Sequence, residues 1–471
     1  MQRQLLLTSR SRLPRPCLLA QRASSNLSSI PPFLGEVTSL PHISVETTSS
    51  TTAAARASHS ASSSPALSSS RRSSNGNSKP GDFYDSNVAQ FAKLPIRPVT
   101  LQQLMCYGHP PLTLEKIIAS AEYSRSELPV RMAKLVIQSF QKLPFIVGTN
   151  PHINSVYKLY VAAFERLRDF PPIETLEQSD EFTKRLHEHI QSLTGIIPKI
   201  AQGFLECKRY LSARESQMFL DDVIHSRIGL RLIAEQHVAL HNDYLAALKM
   251  KDSNSSSPSG DYIGIIDTKL SPANFTEKCA RFVQTICEAN YGIAPVFRIS
   301  GHLDSTFQYI PVHLQYILEE ALKNAYRATV EHSQKRGHTT LPPIEITVGC
   351  DHEEVGIRIR DMGGGVRARD LPHIFDYSFT TVKHAVSDSD SYSTSVGGGG
   401  GGGGIFLAQS QMDMQSGIGG PMAGLGFGLP MARVYCRYFG GDLKLVSMEG
   451  LGCDLFIKLP SLSRESEAIE I

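Results

Sequence analysis

Residues 316–329 read YILEEALKNAYRAT, within a stretch from Val312 to His332 whose spacing predicts one long helix. Ile317, Leu318, Ala321, Leu322 and Ala325 recur at helical intervals and form its candidate core stripe. Tyr316, Glu320 and Asn324 stand four apart and share one face, with Arg327 nearby. A carboxylate and an amide one turn apart border the apolar stripe.

Such a pair suits a metal–phosphate site. An Asn amide oxygen can bind Mg²⁺, which takes few protein ligands and completes its shell with water and phosphate. A Glu can orient and polarise an attacking hydroxyl. Taken alone, the same residues also read as a solvated helix face.

Working outward, 357–366 read IRIRDMGGGV. Ile344, Ile346 and Val348 alternate, as do Val355, Ile357 and Ile359, with polar residues 351–354 between them, which predicts a hairpin. Asp361 ends the second strand, where its carboxylate can accept a hydrogen bond from an exocyclic amine such as that of adenine. Gly363, Gly364 and Gly365 let the backbone approach a flat ligand, or simply form a tight turn. Residues 424–435, GLGFGLPMARVY, place Gly424, Gly426 and Gly428 before a helix, where backbone N–H groups and the helix end favour phosphate. This is neither a dinucleotide fingerprint, since no βαβ unit precedes it, nor a Walker A loop, since no Gly-Lys-Ser/Thr follows. A last strand pair, 443–447 and 455–459, flanks Glu449-Gly450-Leu451-Gly452-Cys453. Each motif alone is weak. Their order (Asn-bearing helix, strand–DxGxG, GxGxG–helix, strand–GxG–strand) is that of the Bergerat ATP-binding fold.

Residues 83–250 read as helices separated by Pro110-Pro111, Pro144 and Pro171-Pro172, with helical stretches at 114–121, 129–140, 154–170 and 182–210. Ser271 followed by Pro272 caps a further helix to about Asn290, and 296–300 suit a strand. The expected fold is therefore α+β: an N-terminal four-helix bundle followed by a Bergerat-type α/β sandwich. Expected boundaries are 1–78 for a targeting and Ser-rich segment, 79–250 for the bundle, 251–260 for a linker, 261–461 for the ATP-binding domain with a lid insertion at 382–423, and 462–471 for a tail. The insertion contains eight consecutive glycines, Gly397–Gly404.

The first residues carry Arg3, Arg10, Arg12, Arg15 and Arg22, and no acid precedes Glu36, the composition of a mitochondrial transit peptide. The formal net charge of +2 gives no global argument for nucleic acid or membrane, and no apolar run is long enough to span a bilayer. Eight Cys lack a CxxC pair, which argues against a zinc site or disulfide framework and for buried free thiols.

The strings SELPVRMA (126–133), KLPFIVGTNP (142–151), FPPI (170–173), SRIGLRLIAEQHVALH (226–241), KNAYRAT (323–329), FDYSFTT (375–381), GLGFGLPMARVYCRYFGGDLKL (424–445) and SMEGLG (447–452) resemble the mitochondrial branched-chain 2-oxoacid and pyruvate dehydrogenase kinases. The resemblance covers about Phe83–Pro460, helical half included. It implies ATP and Mg²⁺ as cofactors, Glu320 as the catalytic glutamate and Asn324 as the Mg²⁺ ligand. It implies Asp361 at adenine and Gly363, Gly365, Gly424, Leu425, Gly426, Phe427, Gly428 and Leu429 around the nucleotide. Lys323 and Arg327 fall near phosphate, and Thr380 and Thr381 at the entry to the lid. It further implies serine phosphorylation that inactivates a dehydrogenase subunit in the mitochondrial matrix, docking of a lipoyl domain on the helical half, and a homodimer. Cys453 departs from the family's Thr after the final GxG, and a thiol is a weaker hydrogen-bond partner. Tyr316, the HVALH string and the absence of Trp favour the branched-chain type, with the pyruvate type as the alternative. Two further readings are a protein-histidine kinase, using a residue such as His225, His237 or His241, and a non-catalytic ATP-binding scaffold.

Overall fold

The computed structural model describes residues 86–462 apart from Pro98, Thr194, 254–260, Thr339, His352, Ser378 and 380–425. The expected 1–78 segment, most of the linker, the lid insertion and all of the tail but Leu462 lie outside the described residues.

The first half is helical: α1 Ser86–Phe91, α2 Leu101–Cys106, α3 Leu114–Gln138, α4 Phe145–Gly148, α5 Pro151–Arg168, α6 Leu176–Ser192, α7 Ile196–Cys207 and α8 Ala213–Ser253. Side-chain caps set several starts. Asn150 Oδ1 accepts from the backbone N–H groups of His152 and Ile153, with Pro151 in the first turn, and Thr175 forms a capping box with Gln178. α3 packs on α5, α6 and α8, while α5 meets α7 and α6 meets α8.

Two expectations here are corrected. The stretch at 114–121 and all but the last two residues of that at 129–140 belong to one helix, α3, which runs through Pro129, and Phe140 opens a 3₁₀ turn. Proline inside a helix costs about 3 kcal/mol, and the flanking Leu128, Val130 and Met132 are all buried, so packing offsets it. Conversely, 182–210 is not continuous. Gly195, at φ 74°, separates α6 from α7 in a left-handed conformation that glycine adopts without a Cβ clash, and Lys208–Tyr210 tighten into a 3₁₀ turn.

The second half mixes strands and helices: β1 Tyr262–Ile263, β2 Ile266–Leu270, α9 Pro272–Tyr291, β3 Phe297–Gly301, β4 Phe307–Tyr309, α10 Pro311–Arg336, β5 Ile344–Cys350, β6 Glu354–Asp361, α11 Gly428–Tyr438, β7 Asp442–Met448 and β8 Gly452–Pro460. A five-stranded sheet runs β3-β5-β6-β8-β7, with β3 parallel to β5 and the other pairs antiparallel. The expected hairpin is β5–β6, in the register Glu345↔Arg360 and Val348↔Ile357. A small sheet β1-β2-β4, which no periodicity announced, precedes α10. α10 packs between α9 and α11 and against β6; α11 also touches β7, β8 and α8. The fold class is α+β. Among the described residues no helix is long and apolar enough to cross a membrane.

Candidate functional site

α10 starts with Pro311 in its first turn and stops at Gly337, whose left-handed φ of 69° closes the C-terminus. Its stripe of Leu314, Ile317, Leu318, Ala321 and Leu322 is fully buried. Tyr316 is also buried, its ring 5.0 Å from that of Tyr435 on α11. The face that begins at Tyr316 therefore runs from the core outward, and Glu320, Lys323 and Asn324 lie half-buried at its border.

The Glu320 carboxylate pairs with Lys323 and lies against Gly428, the first residue of α11. A Cβ at Gly428 would collide with Glu320 Oε2. A side chain at this position would push the Glu320 carboxylate aside, and as it stands that carboxylate sits where a helix start presents unpaired N–H groups. Asn324, one turn further along α10, makes no side-chain hydrogen bond to a described residue. Arg327 pairs with Glu331 at 3.8 Å.

Asp361 closes β6 and is 8% exposed. Its Oδ1 accepts from Gly363 N at 2.8 Å and from Cys453 N at 3.3 Å. Burial pushes its pKa up to about 6; those two backbone donors pull the other way, and Asp454 adds to the rise. Gly363 lies on α10: a methyl there would come within 2.5 Å of Ala328 Cβ. Gly364 N donates to Leu451 O at 3.1 Å and Gly450 N to Gly364 O at 2.8 Å, so the glycine loop is tied to the β7–β8 turn. Cys453 contributes its backbone N–H to Asp361, while its Sγ is 3.5 Å from Ser447 Oγ.

Gly426, at φ 79°, backs onto the Phe379 carbonyl. Phe427 is buried with its ring 5.2 Å from that of Tyr377, and Leu429 packs on the core. Thr380, Thr381, Gly424 and Leu425 lie outside the described residues. Sequence reasoning missed Asp221 of α8, whose Oδ1 accepts the Tyr377 hydroxyl proton at 2.6 Å. The two are 156 residues apart, and no spacing signal joins them.

The structure brings Glu320, Lys323 and Gly428 together at one end, and Asp361, Gly363 and Cys453 at the other, with Asn324 and Ala328 on α10 between. The chemistry fits a nucleotide. The buried carboxylate presents an acceptor beside a glycine loop whose Gly363 packs so closely on α10 that a Cβ would collide with Ala328, and the Glu320 carboxylate meets the N-terminus of α11. Among the described residues no cluster of His, Cys, Asp and Glu is built to hold a metal by itself. The site's half-buried amide, Asn324, instead suits an ion that shares its shell with phosphate and water.

His237 is fully buried, with Nδ1 3.2 Å from Ser120 Oγ and Nε2 3.0 Å from Thr183 Oγ1. Burial and the neighbouring His241 lower its pKa to about 3. Such a residue holds helices together and is no exposed phosphoacceptor.

Residues 98–267 match the family model described as mitochondrial branched-chain alpha-ketoacid dehydrogenase kinase, and residues 309–420 match the histidine kinase-, DNA gyrase B-, and HSP90-like ATPase family. A mitochondrial pyruvate dehydrogenase (acetyl-transferring) kinase of Arabidopsis thaliana is 32% identical over 377 residues, spanning 79% of this chain and 92% of that protein. The chain belongs to the mitochondrial branched-chain 2-oxoacid and pyruvate dehydrogenase kinase family. Isozyme 4 of the pyruvate dehydrogenase kinase of Mus musculus is 30% identical over 397 residues, covering 80% of this chain and 84% of that protein. Pyruvate dehydrogenase kinase 2 of Saccharomyces cerevisiae is 29% identical over 426 residues, covering 82% and 86%. Like other members of this kinase family, the protein is an ATP-dependent protein kinase with a Bergerat ATPase domain. All three relatives are named for pyruvate dehydrogenase, so they lean away from the branched-chain type that the sequence reading favoured.

Proposed function

We propose that the protein is a mitochondrial matrix kinase that transfers the γ-phosphate of ATP to a serine on the dehydrogenase subunit of the pyruvate dehydrogenase complex and so inactivates it. The observation that carries this reading is the Glu320 carboxylate lying against Gly428 at the start of α11, one turn from Asn324. In this arrangement Glu320 orients the serine hydroxyl. Asn324 holds Mg²⁺, which neutralises phosphate charge when bound. Lys323 and Arg327 add positive charge, and the backbone around Gly424, Leu425, Gly426, Phe427, Gly428 and Leu429 cradles the phosphates. Asp361 accepts from the adenine amine through Oδ2, since both of its backbone bonds fall on Oδ1. Gly363 and Gly365 let the chain pass close to the base, while Thr380 and Thr381 lead into the lid. Phosphoryl transfer asks mainly for positioning and charge stabilisation, which this set supplies.

In this reading residues 79–250 form a four-helix bundle that docks a lipoyl domain, residues 261–461 form the ATP-binding domain, and two chains pair through those domains. A second reading, with the branched-chain complex as substrate, is favoured by Tyr316 and by the family match over residues 98–267. The full chain offered labelled Mg-ATP with purified pyruvate and branched-chain complexes side by side separates the two. Serine phosphorylation with loss of activity in the pyruvate complex alone supports the first, and the reverse pattern replaces it with the second. ATP binding without transfer to either returns the scaffold reading.

A further inference from the structure

Asp221 is a carboxylate on the longest helix of the first half, aimed at a single phenol of the second. Packing alone would be served there by an apolar side chain, because burial disfavours the charged form and raises the Asp221 pKa. What the hydrogen bond adds is direction. Tyr377 lies two residues before Phe379, the residue on which Gly426 rests, and its ring meets Phe427, which in turn leads into Gly428. Gly428 lies directly against the Glu320 carboxylate. Displacement of Phe427 therefore moves the α11 start against the carboxylate. One turn along, α8 also meets α11 itself, where the His225 ring lies 4.6 Å from that of Tyr438.

We propose that Asp221 and Tyr377 are positioning residues for phosphoryl transfer: α8 holds Phe427, and through it the Glu320–Gly428 junction, by the Tyr377 hydroxyl. This rests on the reading of Glu320 and the α11 start as the place of transfer. It makes the helical half a part of the active site's support, so that whatever shifts α8 changes the rate of the chemical step.

The test uses the full chain, Mg-ATP and purified pyruvate dehydrogenase complex, with the variants Tyr377→Phe, Asp221→Asn, their combination, and Glu320→Gln. Tyr377→Phe keeps the ring on Phe427 and removes only the hydroxyl, so it leaves the core filled. Each single variant is expected to lower kcat about tenfold while the ATP Kd moves less than roughly threefold, since misplacement costs the reacting geometry more than it costs binding. The double variant is expected to match the singles, because the two residues act through one bond. Unchanged kcat in both singles, a loss confined to thermal stability, or fully additive losses would each overturn the proposal. An unimpaired Glu320→Gln enzyme would overturn the reading beneath it, whereas a dead Glu320→Gln enzyme beside fully active Tyr377→Phe and Asp221→Asn enzymes rejects the positioning role alone.

Discussion

Two sets of polar groups, one in each half, are answered in opposite ways. At the seam of α3, α6 and α8, Ser120, His237 and Thr183 close on one another at 3.2 and 3.0 Å, and Ser179 meets His241 at 3.2 Å. Glu127, 1% exposed, is held by Arg131 at 2.9 Å. In the α/β half, Asp361 has both of its backbone bonds on one oxygen, and Asn324 has no side-chain partner among the described residues. A polar group answered by protein sets the register of helices. One left part-answered inside a backbone cradle stands ready for a ligand.

The strongest way to break this contrast is Glu320→Gln. If Glu320 orients the acceptor hydroxyl, kcat falls about 10²–10⁴-fold, the range for a positioned acid–base group. The ATP Kd, read by equilibrium binding, stays within roughly threefold, because the amide keeps the volume beside Gly428. A full transfer rate would return Glu320 to the first class, a group answered by Lys323 alone.

Asp361 sharpens the contrast with a pH signature. Its folded-state pKa, near 6 against an ordinary 3.8, means that the free protein holds the carboxyl protonated below about 6. A ligand that needs the carboxylate as acceptor then loses affinity as pH falls through that value and gains nothing above it. Stability runs the other way. A raised carboxyl pKa favours the folded state while the group is protonated, fully so below 3.8, and that contribution is lost as pH rises through about 6. Asp361→Asn is expected to weaken ATP binding by about 1.5–3 kcal/mol, the scale of a hydrogen bond to a charged group, and to flatten the pH dependence of binding between pH 5 and 7. A variant whose affinity still falls in that window would place the titration elsewhere.

His237→Ala tests the other side. It strands the Ser120 hydroxyl in the helical seam, while Thr183 keeps its bond to the Ser179 carbonyl, and should cost about 1–3 kcal/mol in a denaturant titration. The kcat of the folded enzyme and its ATP Kd stay unchanged. Loss of kinase activity without loss of stability would show that the seam has a role in the chemistry.

How much of this was legible depended on the distance over which each residue finds its partner. The face of Glu320 and Asn324, the end of β6 at Asp361 and the glycines before α11 are local patterns, readable as period and punctuation. The continuity of α3 through Pro129 was not, because the packing that overrides a helix breaker comes from other helices. The break at Gly195 was missed for the converse reason: an apolar rhythm that resumes in Ile196 and Ile197 conceals one left-handed residue. Asp221 was invisible, since its partner Tyr377 lies in the other half of the chain. The choice of substrate complex was legible only as a resemblance, and the lean from Tyr316 ran against the names that the relatives carry.

The smallest expected effect is at Cys453. The sequence places a thiol where related kinases place a threonine, which put an adenine contact in doubt. In the structure the group that reaches Asp361 from this position is the main-chain N–H, at 3.3 Å, and any residue but proline supplies it. The thiol turns instead to Ser447 Oγ at 3.5 Å, and Ser447 Oγ already accepts from Val366 N at 2.7 Å. Cys453→Thr therefore keeps the contact that fixes Asp361 and adds a β-branched residue to a strand that accepts one. The ATP Kd should move by less than about twofold, well under the scale of one side-chain hydrogen bond to a charged group. Tightening of tenfold or more would mean that the side chain itself reaches the nucleotide, and that Asp361 does not read the base through backbone-held geometry alone.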